Sequence, residues 1–163
     1  MEITYREYTK NDYKTLLDLT DRLAIYAKSI DPIKRVQNLP GFAEADLLDT
    51  LSDLEKNEGR ILLAESEGKA IGYITGIIWK QPERVRLEIG LHKTGEVMDL
   101  YVDEEYRGLG VGKKLMQEAE EYFKKSGCDS MWLQVFEPNK NAHEVYKKYG
   151  FVDREIGMLK QLK

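Results

Sequence analysis

Chemistry is most concentrated at Arg107-Gly108-Leu109-Gly110-Val111-Gly112-Lys113, where three glycines alternate with apolar residues between two cations. Upstream, EVMDLYV (96–102) reads as a strand; downstream, residues 112–126 read as a helix, so the turn sits where a strand feeds a helix. Free backbone N–H groups and the positive end of a helix dipole bind phosphate at such a place, and glycine lets oxygen atoms approach the main chain closely. The spacing excludes two phosphate chemistries. A P-loop places four residues between its first glycine and Gly-Lys-Ser/Thr, whereas Gly108 and Gly112 enclose three and Lys114 stands where the magnesium-binding hydroxyl belongs. A dinucleotide fingerprint needs G-x-G-x-x-G, and this is G-x-G-x-G preceded by hairpin-like sequence.

The elements that hold this turn are legible on both sides. Leu115, Ala119, Tyr122 and Phe123 form the apolar face of the helix over 112–126, and Gly127 supplies its left-handed stop. MWLQVF (131–136) is a further strand; Pro138 and Asn139 begin a short helix that carries Ala142, Val145, Tyr146 and Tyr149 and ends at Gly150, and FVDREIGMLKQL adds two strand-like pieces. Toward the N-terminus, a strand over 2–8 precedes a helix over 12–28, a Pro/Gly loop (31–41) and a helix over 44–57. ILLAE and AIGYITGIIW, separated at Glu67-Gly68-Lys69, form a hairpin; residues 80–95 show no clear period.

With 163 residues the chain has the length of one domain, expected to span 1–163, and 42% hydrophobic residues suffice for a core. Lys+Arg 25 against Asp+Glu 29 leaves a net charge of −4, the wrong sign for neutralising a nucleic-acid backbone. Cys128, His92 and His143 cannot build a zinc site, and one cysteine permits no internal disulfide. Apolar runs fall short of the roughly 20 residues a membrane helix needs, and MEITYREYTK lacks the apolar segment of a signal peptide. A cytoplasmic protein without metal, membrane or nucleic-acid partner is expected.

R-x-x-G-x-G after a strand of the form x-D-L-Y-V-x-x-x-Y resembles the GNAT superfamily of N-acetyltransferases, and a second motif of that family, N-x-x-A-x-x-x-Y-x-x-x-G-F, falls in register at Asn139, Ala142, Tyr146, Gly150 and Phe151. The resemblance implies an α/β (α+β) fold: a mixed, mostly antiparallel sheet flanked by helices, whose parallel central strands 96–102 and 131–136 splay apart. It implies acetyl-CoA as cosubstrate, with the pyrophosphate on the N–H groups of Gly108, Leu109, Gly110, Val111, Gly112 and Lys113. Arg107 and Lys113 add charge, the pantetheine arm lies along the main chain of Leu100, Tyr101 and Val102, and Asn139 is a further contact or simply a helix cap.

Acetyl transfer to an amine needs a neutral nucleophile, a stabilised oxyanion and a proton for the departing thiolate. Tyr146 is the expected acid, since a phenol titrates near ~10, close to a thiol. Many members of the superfamily carry Glu immediately before Asp-Leu-Tyr-Val; here that residue is Met98, which accepts no proton. Glu96, two residues earlier and about 6.6 Å away on the same strand face, is the expected base, acting through water, with Glu137 or a pre-neutralised amine as alternatives. By strict alternation Asp99 faces the other way and is read as structural. The acceptor is expected to be a small-molecule amine or a peptide N-terminus. The resemblance places the first two helices near the acceptor, where the six acids and one lysine of 44–58 would favour a cationic amine. The loop over 31–41 carries basic residues of its own, so charge does not choose among a polyamine, an aminoglycoside, an amino acid and a protein N-terminus. A homodimer is left open as the assembly. The rival reading is a non-catalytic acyl-CoA sensor that keeps the turn and lacks the base.

Overall fold

The computed structural model describes residues 2–162. β1 (Ile3–Glu7) and a 3-10 turn lead into α1 (Tyr13–Ser29) and α2 (Phe42–Lys56); β2 (Arg60–Ser66) and β3 (Lys69–Trp79) follow. Then come α3 (Glu83–Ile89), β4 (Thr94–Val102), α4 (Val111–Lys125), β5 (Ser130–Leu133) and α5 (Lys140–Tyr149). The sheet order is β1-β2-β3-β4-β5, antiparallel throughout except for the parallel β4–β5 pair. The α/β fold is as expected.

The β2–β3 hairpin turns at Glu67 and Gly68, both at positive φ (52° and 77°), the pairing that a two-residue turn matching strand twist requires. Two apolar layers cover the sheet. One, from β2, β3, β4 and α4, buries Ile71, Ile74, Val97, Leu115 and Phe123; the other, toward α1 and α2, buries Leu16, Leu19, Leu47, Leu63 and Tyr73. Phe123 lies flat on two strand glycines: a Cβ at Gly95 would sit 2.2 Å from its ring and one at Gly76 would sit 2.8 Å away. Those glycines let α4 settle close to β3 and β4, which fixes the height of the turn at its N-terminus.

β4 and β5 pair only from Thr94↔Ser130 to Val97↔Leu133, after which β4 continues alone to Val102. Here the central strands part, as expected. β5 is shorter than the expected 131–136, because residues 134–136 hold no ladder. Residues 151–162 form no strand, a correction to the sequence reading. Their alternation is present, but the chain is tied to α5 instead: Phe151 N donates to Tyr146 O (3.0 Å), and the Asp153 carboxylate meets His143 (2.7 Å) and Lys147 (2.8 Å). Alternation makes a strand only where another strand completes its hydrogen bonds. The unassigned stretch 80–95 contains α3. Among the described residues no helix is long and apolar enough to cross a membrane.

Candidate active site

The glycine turn leaves β4 through a short 3-10 segment, Glu104–Tyr106, and enters α4 at Gly110. Gly108 (φ 77°) and Gly110 (φ 87°) hold left-handed conformations, and a Cβ on either would meet nothing within 4 Å. The turn is therefore open on the side where a ligand would approach, and these φ values favour glycine over any L side chain. Val111 is buried and pins the helix start to the core, while Leu109 is exposed at the tip. No acidic side chain lies in the first turn of α4, so its free N–H groups and dipole face outward uncompensated. Lys113 is exposed beside them, and Gly112 packs close to Val102.

Along the departing stretch of β4, Leu100, Tyr101 and Val102 pair with β3 on one edge only. The other edge, toward β5, has no ladder beyond Val97. An extended ligand chain fits such an edge as an added strand. Leu100 and Val102 pack toward α4 and Tyr101 toward α1. The Val102 carbonyl already accepts from Arg107 Nε at 2.9 Å.

Arg107 is held more tightly than its sequence suggests. Its guanidinium lies 4.7 Å from the Tyr26 ring centroid and 5.8 Å from that of Tyr101, a cation between two aromatic faces. The Tyr26 hydroxyl donates to Asn139 Oδ1 (3.2 Å), which also caps α5 through Ala142 N (3.3 Å). Below them, Arg22 binds the buried Asp103 through one nitrogen at 3.0 and 2.9 Å. Tyr26 thus joins the two segments that follow the diverging strands. Neither Tyr26 nor the Arg22–Asp103 pair carries a local signal, since each depends on α1 crossing the end of β4.

The bulge in β4 changes the acid–base geometry. Thr75 pairs with Asp99 but Gly76 pairs with Val97, so Met98 is the extra residue and the alternation of side chains slips by one. Met98 packs on the α1/α2 side, and Asp99 is bound to Thr75 on that same side. Asp99 was expected on the opposite face; the bulge turns it to the face of Met98. Glu96, one residue before the inward Val97, faces that side as well. Burial pushes the Asp99 carboxyl up to about 6, opposed by the hydrogen bond from Thr75 and aided by Asp46. Burial, with Asp53, raises Glu96 too. Tyr146 packs against the α4-side cluster, edge-on to Phe151, and burial pushes its phenol up to about 12, so it keeps its proton at neutral pH. The sheet lies between Tyr146, packed on the α4 side, and Asp99 and Glu96 on the α1/α2 side. A depression of about 430 Å³ between α1 and the segment entering α2, lined by Leu17, Asp18, Asp21, Leu39 and Phe42, does not reach the glycine turn.

The family model described as "Acetyltransferase (GNAT) family" matches residues 26–151. An uncharacterized N-acetyltransferase of Methanocaldococcus jannaschii is 31% identical over 113 residues, which cover 68% of this chain and 47% of that protein. This chain therefore spans about half the length of that relative. The thialysine N-epsilon-acetyltransferase of Bos taurus is 29% identical over 161 residues, covering 93% of this chain and 85% of the relative. A solved structure, a tetramutant of BH1408 protein from Bacillus halodurans, superposes with a TM-score of 0.79 at 22% identity, covering 98% of this chain and 99% of the other, a likeness of fold.

Proposed function

The chain belongs to the GNAT acetyltransferase family, and from that premise we propose that it moves the acetyl group of acetyl-CoA to a primary amine by direct attack in a ternary complex. One observation carries this reading: the open left-handed glycine turn starts α4 just beyond the edge of β4 that β5 leaves unpaired. A ligand with a pyrophosphate and a long amide-bearing arm has use for both features at once. On this reading the N–H groups from Gly108 to Lys113 take the pyrophosphate and the edge at Leu100, Tyr101 and Val102 takes the arm, leaving the thioester in the opening.

The amine nitrogen attacks the acetyl carbonyl carbon, the C–S bond breaks, and the thiolate takes a proton from Tyr146. The attacking amine loses its proton to Asp99, whose pKa near 6 makes it a stronger base than an ordinary aspartate and leaves it ionised at neutral pH. A base is therefore at hand although Met98 replaces the usual glutamate, which favours an enzyme over a non-catalytic acyl-CoA sensor. Tyr146 at about 12 is less well matched to a free thiol than an unperturbed phenol. The thiolate leaves inside the same partly buried cleft, however, where desolvation raises a thiol as well. The acceptor is a small-molecule amine or a peptide N-terminus. The test is acetyl-CoA-dependent thiol release across a panel of amines and N-terminal peptides; binding of CoA without turnover of any of them would favour the sensor.

A further inference from the structure

Residues 80–93 leave the sheet after β3 and return to it at β4, carrying α3. No residue of α3 is buried, and Leu87 and Leu91 stand 81% and 79% exposed. A helix of 7 residues with no buried face does not hold itself together, so its fixed position depends on polar contacts. Gln81 closes the neck of the excursion: its Nε2 donates to Gly90 O at 2.9 Å and its Oε1 accepts from His92 N at 3.2 Å. Lys80 donates to Lys56 O at the end of α2. A further anchor is the His92 ring, with Nδ1 3.0 Å from Asp129 Oδ2 and Nε2 3.1 Å from Ile89 O. Asp129 stands immediately before β5, and its N–H donates to Lys93 O at 2.8 Å.

Both atoms that the ring meets are acceptors. Ile89 O is an end carbonyl of α3 without an intrahelical donor, and an ionised Asp129 has no proton to give. A neutral imidazole carries one N–H and makes one of these bonds; an imidazolium carries two and makes both. The Asp129 carboxylate and the negative end of α3 favour the charged ring, while Arg86 in the last turn of α3 and the neighbouring Lys93 oppose it. Glu88 is engaged with Arg84; Cys128, which burial keeps a neutral thiol, and Glu58 are the other titratable groups near Asp129 and Lys93. Hydrogen bonds from Ser130, His92 and Lys93 hold the Asp129 carboxyl below the usual range, so it stays ionised in mildly acidic solution.

We propose that His92 is a pH-sensitive clasp: protonated, it ties the end of α3 to the start of β5, and on losing its proton it lets go of one of the two. The clasp is closed in mildly acidic solution and loosens as pH rises through the imidazole range. It lies beside the Thr94↔Ser130 rung where the β4–β5 ladder begins, so α3 and that rung are the parts it steadies. His143 provides an internal contrast, since its Nε2 bond to Asp153 (2.7 Å) is one that a neutral ring also makes. The clasp is independent of the acetyltransferase reading.

Amide hydrogen exchange of the whole chain tests it, at about pH 5.5 and about pH 8, on either side of the imidazole range, with each rate divided by the intrinsic rate of that residue at the same pH. Residues 83–93 are expected to be about fivefold or more better protected at the lower pH. In His92→Ala the difference should fall below about twofold while β2 and β3 stay protected as in the wild type, which shows that the fold is kept. His143→Ala should retain the difference in full. Equal protection of 83–93 at the two pH values in the wild type overturns the clasp. So does a difference that survives in His92→Ala, or one that disappears in His143→Ala, because the titrating group then lies elsewhere.

Discussion

Thr75 and Asp99 are joined by two hydrogen bonds at the β4 bulge: Thr75 Oγ1 donates to Asp99 Oδ2 at 2.9 Å and accepts from Asp99 N at 3.0 Å. One hydroxyl thereby holds both the side chain and the main chain of the bulged segment. It stabilises the ionised carboxylate and opposes the effect of burial. Thr75→Val removes both bonds at nearly constant volume. The acid limb of the kcat/KM profile, expected near pH 6 in the wild type, should move to higher pH, measured as a rate profile on any accepted amine. An unmoved limb would remove Asp99 from the mechanism.

The same carboxylate makes stability depend on pH with an unusual sign. Its folded pKa, about 6, lies above its unfolded value, so protonation is favoured by folding; its stabilising effect is full below the unfolded pKa and is lost as pH rises through about 6. Asp99→Asn should therefore raise Tm at pH 8, with a gain of at most about 3 kcal/mol that disappears toward pH 4, while turnover falls at least ~100-fold. Thermal melts at the two pH values check the first part, and thiol release checks the second.

Tyr146→Phe deletes the proposed acid and keeps the ring that packs against Phe151. kcat should fall about 10²-fold or more with acetyl-CoA affinity within about threefold of wild type. If the ring serves only packing, turnover survives and only Tm moves.

Gly110→Val places a branched residue at φ 87° in open space. Strain and obstruction should together weaken CoA binding more than tenfold by calorimetry. Gly127, at φ 79° with nothing near a Cβ, is the control at the far end of α4. Gly127→Val should cost comparable stability, on the order of 1–2 kcal/mol, and leave CoA affinity unchanged.

Tyr26 offers a ring to Arg107 and a hydroxyl to Asn139. Tyr26→Phe keeps the first and should change CoA affinity by less than about threefold, since Asn139 still caps α5 through Ala142. Tyr26→Ala loses both and should weaken it by tenfold or more as Arg107 leaves the turn. Equal affinities for the two variants would mean that stacking does not position Arg107.

What could be read from the amino acids alone was whatever rests on local rules. The helix of α4 follows from its apolar period, its stop at Gly127 from a conformation only glycine takes easily, and the family from two motifs at fixed spacing. The fold class and the strands bearing the site came with them. Tertiary structure decided the facing of Asp99, because a bulge is a mismatch of register between β3 and β4, and neither strand encodes it by itself. It also decided the fate of residues 151–162, whose strand-like alternation is present but whose backbone has no neighbouring strand to bond. Tyr26 beside Arg107 and Arg22 on Asp103 are contacts between segments more than 50 residues apart. Composition marks such residues as polar or aromatic; only the packing of α1 and α2 over one face of the sheet sets what each of them meets.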